Sequence, residues 1–303
     1  MEKNKLNLRG SAPKRDVREK GFFSAEDGTA LYYEVQGEGR PLILCYGLTC
    51  RREHWRHQVA YFSQKYQVIT LDYRGHHASD RPKNDRNLTI DWCGRDVTSL
   101  IRHLKLSQVV LMGHSMGVPV VLRAIQRTSA NVAGAVFVCG AVNDPFEHMF
   151  FTRKFSHVYR VYSLLYEWAP ELLEGAWRKF TDSNRLSYFL TSRFGFNPSH
   201  AQEEDVLGYM QGVRQTPLMV FYSLISDYTK FDGESQLASI PCPTLVIAGE
   251  YDCITPFHLQ ERMAKLLPKG ELFKVRFGSH NAHTDFPDRV NEAISGFLKK
   301  VHY

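Results

Sequence analysis

Long apolar runs are missing from this sequence. No segment of its 303 residues reaches the roughly 18–20 uninterrupted apolar residues that a membrane-spanning helix needs, so a chain built around such helices is not expected. The opening stretch, Met1 to Lys20, is polar and basic and has no apolar core that could serve as a secretory signal. The reading that follows is a cytoplasmic protein. Cysteine is sparse and unpatterned: Cys45, Cys50, Cys93, Cys139, Cys242 and Cys253 form no CxxC pair. Several lie inside apolar runs, where a reduced thiol acts as a small hydrophobe, which argues against a disulfide framework and against a zinc site. Internal repeats and low-complexity stretches are absent. Neither charge dominates, with 38 basic against 32 acidic residues and a formal net charge of +6. Part of that excess sits in the opening segment, at Lys3, Lys5, Arg9, Lys14, Arg15, Arg18 and Lys20. Without aromatic interleaving or a binding motif this segment reads as a solvated tail, not as a contact for nucleic acid or an anionic membrane.

The composition that remains, 43% hydrophobic and 23% charged, is that of a globular protein. Its length suits one large core or two small ones. Phe22–Ser24 and Ala30–Val35 flank Asp27-Gly28, a hairpin turn signal. Fully apolar strand patterns follow at Pro41–Cys45, Val68–Asp72, Gln108–Met112 and Val132–Cys139. Between them, Ile90, Val97, Leu100, Ile101 and Leu104 recur at helical spacing behind Thr89, a suitable N-cap. Strands without alternation, separated by helices, predict an α/β fold whose mostly parallel sheet is covered on both faces. The rhythm breaks from about Asn143 to Gln236, where the chain turns helical and rich in aromatics: Phe146, Phe150, Phe151, Phe155, Tyr159, Tyr162, Tyr166 and Trp168. It resumes with a strand at Thr244–Ala248, a helix near Phe257–Leu267, a strand at Leu272–Phe277 and a helix from Asp288 to about Lys299. Neither half closes a sheet alone. The organisation expected is therefore a basic extension (1–20), one core built from 21–142 and 237–303, and a helical insert (143–236).

Gly113-His-Ser-Met-Gly117 fits the G-x-S-x-G elbow, a sharp strand-to-helix turn that presents a serine in a strained backbone conformation. Glycines two positions either side allow strand and helix to approach. Ser115 would be the nucleophile, and a serine hydroxyl needs a base that a third group orients. In folds with this elbow the order along the chain is serine, acid, histidine. Asp252, in the loop after Thr244–Ala248, is the favoured acid, with Asp144 as the rival that would otherwise cap a helix in the insert. His280, on the Gly-containing loop after the last strand, is the favoured base, with His283 as its rival. Negative charge developing on a carbonyl oxygen would be met by backbone N–H groups, those of Met116 and, from the loop Tyr46-Gly-Leu-Thr49, Leu48. No carboxylate or cysteine spacing completes a metal site around His54 and His57 or around His280 and His283.

These motifs, in this order, resemble the α/β-hydrolase superfamily in its esterase and enol-lactonase-like branch. The resemblance runs from about Gly21 to Leu298. It rests on Tyr46-Gly47 with Trp55 and Gln58, on Asp72-Tyr-Arg-Gly75, on Gly113–Gly117, on Asp252 through Pro256 and on His280 through Pro287. It implies an α/β-hydrolase fold, Ser115 as nucleophile, Asp252 as acid, His280 as base, and a helical lid where 143–236 falls. No cofactor and no metal are expected. The family usually carries His-Gly at Tyr46-Gly47 and Gly-His-Gly at Gly75-His-His77. Relatives with an aspartate nucleophile are disfavoured because position 115 is serine.

The expected activity is hydrolysis of a carboxylic ester through an acyl-serine, on a small molecule with an apolar acyl or aryl group. Tyr46, His114, Phe146 and Phe150 are the expected substrate-binding residues. Lactone hydrolysis, C–C bond hydrolysis and acyl transfer can use the same three groups, and a non-catalytic ligand receptor on the same fold is the alternative outside enzymes.

Overall fold

A computed structural model describes residues 17–181 and 185–303. Most of the basic opening segment, residues 1–16, lies outside the described residues. The hairpin forms around Asp27-Gly28, with β1 (Val17–Ser24) paired to β2 (Ala30–Gln36). The first strand thus starts inside the segment expected to be an extension. Then come β3 (Pro41–Cys45), α1 (Arg56–Phe62), β4 (Gln67–Leu71), α2 (Ile90–His103), β5 (Val109–His114), α3 (Gly117–Thr128) and β6 (Val132–Val138). The insert contributes α4 (Lys154–Trp168), α5 (Pro170–Thr181), α6 (Arg185–Gly195), α7 (Glu203–Gln215), α8 (Leu218–Tyr228) and α9 (Glu234–Leu237). The core closes with β7 (Thr244–Gly249), α10 (Phe257–Leu266), β8 (Gly270–Val275), α11 (Ala282–Asp285) and α12 (Pro287–Lys300).

The eight strands form one sheet in the order β1-β2-β4-β3-β5-β6-β7-β8. β2 runs antiparallel to both its neighbours, and every pair from β4 to β8 is parallel. β3, β5 and β7 are buried at every position, as strands covered on both faces must be. Because the central strands are parallel, the loops that leave β3, β5, β7 and β8 all emerge at one edge. Helix α2 begins where the sequence places it, with the Thr89 hydroxyl accepting from the Trp92 N–H. Arg74, wholly buried, holds Asp96 of α2 through two hydrogen bonds of 2.7 and 2.6 Å and Asp27 of the hairpin turn at 2.9 Å. The hairpin, the loop after β4 and α2 are pinned together by that one guanidinium.

Two elements depart from expectation. Helix α1, seven residues long, is too short for its periodicity to show. β8 ends at Val275 instead of Phe277, because Phe277 adopts a left-handed backbone (φ 63°) that no strand can continue through. Among the described residues, no helix is long and apolar enough to cross a membrane.

Candidate active site

Ser115 follows β5 directly and has φ 54°, the left-handed region that a side chain enters only at a cost. The flanking glycines have no room for a side chain. A Cβ on Gly113 would lie 2.4 Å from the Gly117 carbonyl oxygen, and one on Gly117 would lie 2.2 Å from that of Cys45. The Ser115 N–H bonds the Val138 carbonyl at 3.0 Å, which fixes the turn against β6. Pro119 falls in the first turn of α3, where its missing N–H interrupts no helical bond.

The loops after β7 and β8 bring two more groups to this hydroxyl. His280 Nε2 lies 3.0 Å from Ser115 Oγ, and His280 Nδ1 lies 3.1 Å from each oxygen of Asp252. Asp252 is fully buried and surrounded by donors. Its Oδ1 accepts from the N–H groups of Ile254 and Thr255, both at 2.9 Å. Its Oδ2 accepts from Thr255 Oγ1 at 2.8 Å and from Gln260 Nε2 at 3.1 Å. With every neighbour donating, the Asp252 oxygens act as acceptors and His280 Nδ1 carries its proton toward them. That leaves the Nε2 lone pair facing the serine hydroxyl. The three residues stand 165 and 28 positions apart in sequence and within hydrogen-bond reach in space. Thr255 and Gln260 were not anticipated from sequence, and Thr255, three residues after Asp252, was the legible one.

The loop after β3 packs tightly on the elbow. A Cβ on Gly47 would stand 2.9 Å from Ser115 Cβ and 3.1 Å from His114 Nδ1. Among the described residues no acceptor takes the N–H of Leu48 or that of Met116. The free Met116 amide directly follows Ser115, and the free Leu48 amide directly follows Gly47, so both are open to an acceptor from outside the protein. A Gly47→Ala variant must push this loop back, and we expect kcat to fall about 100- to 1000-fold, the loss typical of one misplaced oxyanion donor. Steady-state kinetics on an ester substrate, with folding verified by circular dichroism, measures it.

The expected pocket residues divide. Tyr46 offers no surface to a substrate: its ring is fully buried against Tyr73, centroids 4.6 Å apart, and its hydroxyl accepts from the Tyr73 N–H at 3.0 Å. His114 is also fully buried, and its Nε2 donates to the His280 carbonyl at 3.0 Å, so it holds the backbone of the His280 loop. Phe146 stacks on Tyr159 at 4.8 Å, and Asp144 caps the turn by accepting from the Phe146 N–H at 2.8 Å. Phe150, at φ 54°, gives its N–H to the Cys253 carbonyl at 2.6 Å, beside Asp252. His283 lies away from the serine hydroxyl, packed on Trp55 at 4.8 Å, with both ring nitrogens buried and unpartnered. Where the family usually has glycine, His77 takes φ 45° and donates Nε2–H to the Cys50 carbonyl at 2.8 Å.

Burial lowers the imidazoles of His114 and His283 well below the usual value and that of His54 to about 4, so neutral rings surround His280. One atom each from Cys50, His54 and His114 lies within 4.8 Å of the other two, a grouping the sequence spacing does not show. Burial pushes the Cys50 thiol up to about 12, so this donor stays protonated at neutral pH.

The His280 loop is tied to the insert. Asn281 donates Nδ2–H to the Gly195 carbonyl at 2.8 Å and its backbone N–H to the same oxygen at 3.2 Å. Asp285 accepts the Ser279 hydroxyl at 2.5 Å and the Asn197 N–H at 3.1 Å. Burial pushes the Asp285 carboxyl up to about 6 from 3.8. An acid raised on folding stabilises the native state most when protonated. Between pH 4 and 6 the native chain keeps a proton at Asp285 that the unfolded chain releases, so the contribution of this carboxyl to stability falls as pH rises, by on the order of 3 kcal/mol in all. The buried imidazoles of His54, His114 and His283 pull the other way over the same range, so the test is the difference: in thermal melts from pH 4 to 7, Asp285→Asn should gain more stability with rising pH than the wild type.

The alpha/beta hydrolase fold family model matches residues 40–287. The chain belongs to that family, and hydrolase is the class that the family supports. It is 29% identical over 287 residues to a non-heme haloperoxidase of Rhodococcus erythropolis, covering 92% of this chain and 99% of that protein. It is 24% identical over 290 residues to 3-oxoadipate enol-lactonase 1 of Acinetobacter baylyi, covering 92% and 97%. Among solved structures, a thermophilic esterase from Thermogutta terrifontis aligns with a TM-score of 0.74 at 21% identity, covering 94% of this chain and all of that one.

Proposed function

We propose that the protein hydrolyses a carboxylic ester bearing an apolar acyl or aryl group, through an acyl-Ser115 intermediate. The observation that carries this reading is the unbroken run from Ser115 Oγ to His280 Nε2 at 3.0 Å and from His280 Nδ1 to Asp252 at 3.1 Å. His280 takes the hydroxyl proton as Ser115 Oγ attacks the acyl carbon. The N–H groups of Leu48 and Met116 hold the oxyanion, and His280 returns the proton to the departing alcohol. Water then attacks the acyl-enzyme by the same route, releasing the acid and restoring Ser115. The insert acts as the lid, with Phe146 and Phe150 on its apolar underside. A lactone is an internal ester and passes through the same steps.

A fluorophosphonate probe tests the nucleophile, and a panel of p-nitrophenyl esters, lactones and thioesters of graded chain length tests the substrate. Labelling that Ser115→Ala abolishes, with turnover of apolar esters or lactones, is expected. Labelling without turnover on any of them would turn the reading toward a receptor. No labelling at all would end it.

A further inference from the structure

Helix α4 is apolar on both of its faces. Its inner face, Phe155, Tyr159, Tyr162 and Tyr166, turns toward the protein: Tyr166 stacks on Tyr222 of α8 at 3.7 Å, and the hydroxyls of Tyr159 and Ser226 meet at 2.6 Å. Its outer face carries Val158, Val161, Leu165 and Trp168, spaced three and four apart on one stripe, with Leu164 beside it. All five are exposed, Trp168 to 84%. Leu172 of α5 and Leu186 and Phe189 of α6, between 60 and 70% exposed, extend the apolar area along the insert. A helix facing water on one side ordinarily carries polar residues there, and an apolar area of this extent marks a contact with something else.

The charges say what. Among the described residues of α4–α6, seven basic residues are exposed, Arg153 at the N-cap of α4, Lys154, Arg160, Arg178, Lys179, Arg185 and Arg193, against two acidic ones, Glu167 and Glu171. Arg178 is also paired with Glu174. Apolar side chains including a tryptophan, set among lysines and arginines, form the surface that enters the headgroup region of an anionic bilayer. Lysine and arginine stems reach past the apolar layer to the phosphates. A second copy of the chain would bring the same positive face against itself, which its charge opposes.

We propose that the outer face of α4–α6 docks the protein peripherally on an anionic phospholipid surface. This stands whether or not Ser115 turns over esters, and it does not rest on the basic opening segment. The test is co-sedimentation of the full chain with vesicles of phosphatidylcholine, with and without phosphatidylglycerol, and tryptophan emission in parallel. Binding to the anionic vesicles, a blue shift that Trp168→Phe removes, and weakening with salt are expected. The double variant Leu165→Asp, Trp168→Ser should bind at least about tenfold more weakly, as expected when a leucine and a tryptophan leave an apolar environment. Its far-ultraviolet circular dichroism should match the wild type. Three results would each overturn the proposal: equal binding to neutral vesicles, undiminished binding by the double variant, or a lipid-free dimer by light scattering that the double variant dissolves.

Discussion

Ser115→Ala should lower kcat on the best ester substrate about 10⁴- to 10⁶-fold, the range seen when an activated serine loses its hydroxyl. The whole effect belongs to one oxygen, since His280 Nε2 has no other nucleophile within 3.0 Å of its lone pair among the described hydrogen bonds. Stability should hardly change, because alanine keeps a Cβ at φ 54° and so keeps the backbone strain. Ser115→Gly provides the contrast. It removes the same hydroxyl and also the strain, and should raise the unfolding free energy by about 1 kcal/mol or more. Paired kinetics and thermal melts on the two variants separate chemistry from conformation. If Ser115→Ala retained most of its activity, the nucleophile would have to be sought elsewhere.

Asp252→Asn is expected to cost about 10⁴-fold in kcat with little change in the fold. Donors already occupy both oxygens of Asp252: two backbone N–H groups, the Thr255 hydroxyl and the Gln260 amide. An asparagine keeps one oxygen for the two N–H groups. It must then present NH₂ where Thr255, Gln260 and His280 expect an acceptor. His280 loses the partner that holds its proton on Nδ1, so the tautomer with hydrogen on Nε2 gains and the lone pair facing Ser115 is lost. Fluorophosphonate labelling rates should fall in step with kcat. A variant retaining activity within an order of magnitude of the wild type would mean that Asp252 only packs the loop.

Local patterns were the legible part of this molecule. The strand Pro41–Cys45, the Thr89 cap and the Gly113–Gly117 elbow follow from residues near one another in sequence, and the structure shows them at those places. The grouping of Ser115 with Asp252 and His280 was readable because a parallel sheet sends the ends of β5, β7 and β8 to the same edge. What sequence could not supply is which way a side chain turns once there. Tyr46 and His114 adjoin the site in sequence, yet their rings point into the core, a matter decided by Tyr73 and His280 far along the chain. The bonds from Asn281 to Gly195 and from Asp285 to Asn197 span more than eighty residues and leave no periodic trace. Helix α4 shows a different limit. Apolar residues on both sides of a helix mark it as buried, and only coordinates reveal that one side faces outward.

The insert is fastened to the core at both ends of its first three helices. Ahead of α4, Phe150 grips the carbonyl of Cys253, next to Asp252; at the end of α6, Gly195 is gripped by Asn281, next to His280. If the insert is the lid proposed above, it cannot swing clear as a rigid door without pulling on Asp252 and His280 through these two bonds. In that proposal a substrate would pass by flexing of the span between them, around α4 and α5. Under the same proposal, a ligand wedged beneath that span, or a surface pressed against it, would pull on Asp252 and His280 together.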